Sequence, residues 1–302
     1  MKHLLSIYDL SRAEIEAILS RATYLKQVHK KGKSYQPLRG KTLGLIFDKS
    51  STRTRISFEV GIYQLGGLAL FLSSKDTQLG RGETIADTAR VMSRYLDGVV
   101  IRTFKQETVE EFARYATIPV INGLTDLLHP CQILSDIFTI TEKKGCFEGI
   151  TVAYIGDGNN VANSWVNAAV KLPIFLHLAC PEGYEPDGEI LRRGLSEAGD
   201  RIKLYHDPII AVREADIIYT DVWTSMGKEE EYERRITIFR PYQINRELLS
   251  HAKKDYLIMH CLPAHRGEEI TDEIIEGIHS IVFDQAENRL HVQKAILEML
   301  LS

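Results

Sequence analysis

The chain has 302 residues and a mass of 34.3 kDa, with 44% hydrophobic and 26% charged residues and a formal net charge of −4. That is ordinary globular composition, and at ~100–200 residues per domain it implies about two domains. A disordered chain, a collagen-like fibre and a small disulfide scaffold are excluded. A mildly acidic chain, with pI near 6.2, has no bulk attraction for nucleic acid or an anionic membrane, so local cations must hold any anionic ligand.

No two of Cys131, Cys146, Cys180 and Cys261 form a Cys-x-x-Cys pair, so reduced thiols of a cytosol-like compartment are expected. The N-terminal apolar patch is cut off by Asp9 and is too short for a secretory core. No run approaches the ~18 apolar residues of a membrane span. A soluble cytoplasmic protein is expected.

Ser11-Arg12-Ala13-Glu14 fits a capping box, and Ile15, Ile18, Leu19, Ala22 and Leu25 follow at helical spacing. Leu43–Phe47 then has the length of a buried strand. Strand-like runs recur at Leu68–Leu72, Val99–Ile101 and Ile118–Ile121, alternating with helical patterns at Arg55–Leu65, Glu83–Tyr95 and Glu107–Tyr115. This alternation predicts parallel βαβ units with right-handed crossovers. His129–Lys144 predicts a longer helix. The alternation restarts with strands at Thr151–Ile155, Phe175–Ala179, Ile202–Tyr205, Ile217–Thr220 and Tyr256–His260. Helices are predicted over Asn160–Val170, Gly188–Ala198 and Asn245–Lys253, and an amphipathic one over Glu287–Leu301. The charge run Glu229–Arg235 reads as a solvated loop. The expected architecture is α/β: two lobes, residues 1–144 and 145–302, each a parallel sheet flanked by helices, with the last helix packing back on the first lobe.

Open α/β sheets bind ligands beyond the carboxyl ends of their strands. After the first strand, Ser51-Thr52-Arg53-Thr54-Arg55 places three hydroxyls and two arginines at a helix start. Backbone N–H groups are unpaired there, the helix dipole is positive and guanidinium forks match phosphate oxygens. Ordinary capping would explain the hydroxyls, but two crowded arginines repel until an anion arrives. Gly40-Lys41-Thr42 resembles the end of a P-loop, yet Tyr35 stands where the first glycine is required and Lys41 precedes the strand. Ser73–Glu83, containing Gln78, is a polar loop after the second strand, and Arg102 ends the third. His129-Pro130-Cys131-Gln132 opens the helix after the fourth. Gly156-Asp157-Gly158-Asn159-Asn160-Val161 suggests a dinucleotide loop, but Val161 stands where the third glycine belongs. Asn159 and Asn160 can instead meet a polar substrate. Asp221, followed by Ser225-Met226-Gly227, suits a substrate ammonium. Cys261 in His260-Cys261-Leu262-Pro263-Ala264-His265 suits a nucleophile or metal ligand. No recognised zinc spacing accompanies it, so a metal is not expected. Arg289 is a further anion clamp on the last helix.

Taken together, Ser51-Thr52-Arg53-Thr54-Arg55, His129-Pro130-Cys131-Gln132, Asp221 with Ser225-Met226-Gly227, and His260-Cys261-Leu262-Pro263 resemble the ornithine branch of the aspartate/ornithine carbamoyltransferase family, over nearly the whole chain. The resemblance implies transfer of a carbamoyl group from carbamoyl phosphate to the δ-amine of L-ornithine, without a cofactor, in the cleft between the lobes. It implies carbamoyl phosphate on Ser51, Thr52, Arg53, Thr54, Gln78, Arg102, His129, Pro130, Cys131, Gln132, Cys261, Leu262 and Arg289. It implies ornithine on Asn160, Asp221, Ser225 and Met226, with Arg102, His129, Asp221 and Cys261 as the catalytic group. Gln78 is implied to come from a neighbouring subunit, making the protein a trimer or a multiple of trimers. Putrescine, acetylornithine and aspartate are the alternative acceptors. A non-catalytic phosphate- or NAD-binding α/β protein is the alternative class.

Overall fold

A computed structural model describes residues 1–73, 82–224 and 231–302. The capping box is present: Ser11 Oγ accepts from Glu14 N–H, the Glu14 carboxylate accepts from Ser11 N–H, and helix α1 runs Arg12–Lys30. Strands and helices then alternate as β1 Thr42–Phe47, α2 Thr52–Gln64, β2 Leu68–Ser73, α3 Ile85–Met92, β3 Gly98–Arg102, α4 Gln106–Tyr115, β4 Val120–Leu124 and α5 Pro130–Lys144. There follow β5 Thr151–Ile155, α6 Asn160–Lys171, β6 Phe175–Ala179, α7 Gly188–Ala198, β7 Ile202–Tyr205, α8 Pro208–Val212 and β8 Ile217–Thr220. The chain closes with α9 Tyr232–Phe239, α10 Arg246–Leu249, β9 Leu257–His260, α11 Asp272–Ile275 and α12 Val282–Leu301. No helix among the described residues is long and apolar enough to cross a membrane.

Two compact units result, one of Met1–Phe138 with Glu287–Ser302, the other of Thr139–Ala286. The first holds an all-parallel sheet in the order β2-β1-β3-β4. Its central strands are buried on both faces, as a sheet covered by helices requires. Ile46, Val99 and Ile101 pack there against Val109 and Phe112 of α4. The sheet gains a neighbour that the strand pattern did not reveal: Leu4 bridges to Ile121, its N–H donating to Val120 O at 2.9 Å. The C-terminal residues belong to this unit by close packing. A Cβ on Gly98 would lie 2.6 Å from Leu301, and one on Gly61 of α2 would touch Lys294, Leu290 and Leu297 of α12.

The second unit holds an all-parallel sheet in the order β7-β6-β5-β8-β9. In each sheet the order of connection reverses once, between β1 and β3 in the first and between β5 and β8 in the second. Chain segments leaving adjacent strands at such a point diverge and open a crevice.

The structure corrects one sequence reading here. Glu229–Arg235 is not simply a solvated loop: Tyr232–Arg235 form the start of α9, and Arg235 is buried, 2.6 Å from Asp157. Its Nε donates to Trp223 O at 2.5 Å, and its guanidinium lies over the rings of Tyr184 and Phe239. Counting charges along the chain cannot see those distant partners.

Candidate active site

The first unit's crevice opens where β1 and β3 end. Phe47 pairs with Arg102, so Arg102 stands level with the end of β1, five residues before α2 begins. That helix begins three residues earlier than its apolar pattern suggested, because Ser51 caps it by accepting from Thr54 N–H at 3.2 Å. Thr52, Arg53 and Thr54 therefore form the first turn, where backbone N–H groups have no intrahelical acceptor and the dipole favours anions. Arg55 leaves the group: it pairs with Glu59 at 2.9 Å and lies over Phe71 at 3.6 Å. The cradle holds one arginine from α2 and not two.

The missing cation arrives from the far end of the chain. Arg289 on α12 is 3% exposed. Its Nη2 donates to Thr54 Oγ1 at 3.0 Å and its Nη1 to Gln132 Oε1. Gln132 in turn donates to the buried Asp136 at 2.8 Å. With its amide oriented oxygen towards Arg289, Gln293 accepts from Nε and Nη2 and donates to Ser57 on α2. So Thr54, Gln132 and Arg289, dispersed over 235 positions, form one hydrogen-bonded cluster. His129 immediately precedes α5, which Pro130 opens. Its imidazole is held well below its usual pKa, first by burial and then by the guanidiniums of Arg289, Arg102 and Arg53. Three guanidiniums thus disfavour protonation of the buried ring. Cys131 points away, donating to Asn122 O at 3.4 Å, and burial pushes its thiol up to about 12, so it stays protonated. Lys49, a residue not singled out above, pairs with Asp126 and lies over Phe104.

In the second unit the register of β5, β8 and β9 sets the geometry. Ile155 pairs with Thr220 and Thr220 with His260, so the residues following all three strands are neighbours. Asp221 Oδ1 accepts from the Cys261 thiol at 2.9 Å and from Val222 N–H at 2.8 Å, while Asp221 Oδ2 accepts from Asn159 Nδ2 at 2.7 Å. Asn159 is the N-cap of α6 and accepts from Tyr154 OH at 3.0 Å. It thus holds Asp221 in place, while its neighbour Asn160 is the first residue of the helix. His260 is fully buried, with Nδ1 accepting from Leu262 N–H at 2.8 Å. The proton therefore sits on Nε2, which faces Glu269 Oε1 at 2.9 Å. Glu269 also accepts from His265 N–H at 2.7 Å. Local spacing gave no sign of this pin, which shapes the turn carrying Leu262. Asp221, His260 and Cys261 offer ligand atoms within 4.8 Å of one another, a donor set that only the register reveals. All three already have the partners just named.

The glycines of the apparent dinucleotide loop have local causes. Gly156 has φ +130, and a Cβ on Gly158 would lie 2.1 Å from the Glu185 backbone. Lys41 of the apparent P-loop pairs with Asp97. Gln78, Ser225, Met226 and Gly227 lie outside the described residues.

Residues 2–142 match the family model described as the carbamoyl-P binding domain of aspartate/ornithine carbamoyltransferase, and residues 148–300 match its Asp/Orn binding domain. Ornithine carbamoyltransferase of Syntrophus aciditrophicus is 67% identical over 99% of both chains. The anabolic ornithine carbamoyltransferase of Pseudomonas aeruginosa is 54% identical over 100% of this chain and 97% of that one. The solved ornithine carbamoyltransferase of Pyrococcus furiosus superposes with a TM-score of 0.95 at 54% identity, over 99% of this chain and 97% of its own. With both halves matched in order and relatives this similar over their full length, the chain belongs to the aspartate/ornithine carbamoyltransferase family.

Proposed function

We infer that the chain transfers the carbamoyl group of carbamoyl phosphate to the δ-amine of L-ornithine, giving L-citrulline and phosphate in arginine metabolism. One observation carries the reading furthest: the buried Arg289 donates to Thr54 in the first turn of α2 and to Gln132 in the first turn of α5, both turns lying within the half of the chain that matches a carbamoyl-P binding domain.

The phosphate rests on Ser51, Thr52, Arg53 and Thr54, with Arg289 completing the cradle. Gln132, Pro130 and the backbone at Cys131 hold the carbamoyl amide. Arg102 bridges phosphate and carbonyl oxygen. A neutral imidazole keeps one N–H to donate to that oxygen and adds no further charge. Ornithine's α-ammonium meets Asp221, with Asn160, Ser225 and Met226 around its amino-acid end. Because the Cys261 thiol donates to Asp221, its sulfur remains an acceptor for an amine N–H. It orients the δ-amine together with the Leu262 carbonyl.

An ammonium group has no lone pair, so the δ-amine reacts neutral, and the guanidiniums and desolvation favour loss of its proton. Its attack on the carbonyl carbon builds an oxyanion between Arg102 and His129, donors of a kind typically worth ~3–4 kcal/mol each. Collapse breaks the carbon–oxygen bond to phosphate, which leaves with the proton that the nitrogen sheds and whose charge the same guanidiniums stabilise. Nucleophile, electrophile and leaving group all come from the two substrates, so no cofactor is required. The Cys261 thiol is an orienting group and not a covalent nucleophile, since the amine attacks directly.

The assembly is a trimer or a multiple of trimers in the cytoplasm, Gln78 reaching a neighbour's site. The similarity to a relative titled anabolic supports the biosynthetic direction. Citrulline formation from carbamoyl phosphate with ornithine, putrescine, acetylornithine and aspartate, each in turn, tests the reading. Ornithine should exceed the others by orders of magnitude, and equal use of putrescine would remove the α-amino-acid contacts from the account.

A further inference from the structure

The first unit has a second concavity, at the opposite end of α2 from the cradle. A cavity of about 660 Å³ is lined by the ends of α1 and α2, the segment between α1 and β1, and α12. Small-molecule pockets fall in the range ~300–1,000 Å³. Its charged lining is of one sign: Lys33, Arg39 and Lys294, with His29 beside them and, among the described residues, no aspartate or glutamate. The 13 residues of α2, at ~1.5 Å rise each, separate this place from the cradle by roughly 18 Å.

Lys294 forms the floor. It is 5% exposed, and its Nζ donates to Gln64 Oε1 at 2.9 Å. Burial lowers its pKa. No carboxylate pairs with it among the described residues. The nearest acid on its own helix, Glu298, is taken. Arg21 holds both its oxygens, at 2.7 and 2.5 Å, and Tyr35 OH donates to it at 2.7 Å. Lys33 and Arg39 form no ion pair among the described residues either. The C-termini of α1 and α2 contribute about −0.5 charge each and the Glu298 carboxylate is offset by Arg21, so the charges of Lys33, Arg39 and Lys294 leave the cavity positive. Glu298 still attracts the Lys294 ammonium from one turn away, but its oxygens are bonded to Arg21 and Tyr35. The one hydrogen bond of the desolvated ammonium among the described residues is to an amide, and a counter-ion would complete its shell.

We propose that this cavity is a binding site for a small multivalent anion, with carboxylate or phosphate groups reaching Lys294 at the floor and Lys33 and Arg39 at the mouth. The site is independent of the transfer reaction.

Calorimetric titration of the full-length protein with citrate and with inorganic triphosphate, at constant ionic strength, tests this and separates the two anion chemistries. Triphosphate also has access to the cradle, so each titration is run on wild type and on Arg53→Ala. At least one probe should bind at one site per chain and keep that site in Arg53→Ala. The exposed double variant Lys33→Glu/Arg39→Glu, with citrulline formation retained, should weaken it at least tenfold, and Lys294→Met should do the same. Absence of binding by both probes at millimolar concentration overturns the proposal. So does binding that Arg53→Ala abolishes while Lys33→Glu/Arg39→Glu leaves it unchanged.

Discussion

Replacing Arg289 by Met removes a guanidinium while keeping most of the side chain's length in a site that is 3% exposed. Arg289 is joined to Thr54 and Gln132 before any substrate arrives, so it is already aimed at the cradle. A hydrogen bond from a charged group contributes about 1.5–3 kcal/mol. At 1.4 kcal/mol per factor of ten, losing one such contact weakens carbamoyl phosphate binding roughly 10- to 150-fold. The same change deletes one of three cations that, after burial, depress the His129 pKa. That pKa then rises, but it stays under the ordinary ~6.5 because burial, the largest cause, remains. Turnover needs the neutral ring and is lost as pH falls through this pKa, so the acid limb of the pH–rate profile moves to higher pH. Stability follows the same linkage. A histidine whose folded pKa is depressed makes the fold less stable as pH drops below the unfolded value of ~6.5, and Arg289→Met should reduce that loss. Calorimetry with carbamoyl phosphate, and a profile run from about pH 8 downward until the wild-type acid limb is reached, read both effects. Wild-type affinity together with an unmoved acid limb would refute the clustering of Arg289 with His129.

Arg53→Ala should raise KM for carbamoyl phosphate by a similar roughly 10- to 150-fold and slow turnover; unchanged steady-state constants would mean that the cradle is misplaced. Cys261→Ser should retain weak activity, and wild type incubated with carbamoyl phosphate alone should show no carbamoyl adduct by intact-mass spectrometry, whereas a stoichiometric, kinetically competent adduct would sink direct attack. Glu269→Ala leaves two donors without their acceptor, His260 Nε2–H and His265 N–H. Only His260 is buried, and at ~1–3 kcal/mol for its unpaired donor this should destabilise the protein in urea unfolding; an unchanged midpoint would mean that the pin is dispensable. Carbamoyl phosphate should bind before ornithine, because it supplies part of the second pocket; equally tight ornithine binding to the free enzyme would contradict that order.

Where local pattern decides structure, the sequence was readable. Alternating short apolar runs and helical periods marked both parallel sheets, and β5, β6, β7 and β8 lie where their apolar runs placed them. The capping box fixed the start of α1 because its signal spans only four residues. The helix expected over Asn245–Lys253 shortens to Arg246–Leu249, and α9 arose from a charge run, since in both places tertiary partners outweigh local preference. The site divides the same way. Ser51–Thr54, Arg102, His129, Asp221 and Cys261 announced themselves by standing after strands. Arg235 and Glu269 did not, and Asn159 was legible as a polar contact but not as the support of Asp221, because each acts through a partner that only strand register or packing brings near: Asp157, His260 and Asp221.

In the proposed reaction the carbamoyl carbon passes directly to the δ-nitrogen of ornithine. Carbamoyl phosphate labelled with carbon-13, mixed with ornithine and purified enzyme and followed by NMR, reads that transfer without a coupled assay. The label is expected in the ureido carbon of citrulline, appearing in step with an equal amount of inorganic phosphate. Phosphate release that outruns labelled citrulline, or label accumulating on the protein, would contradict it.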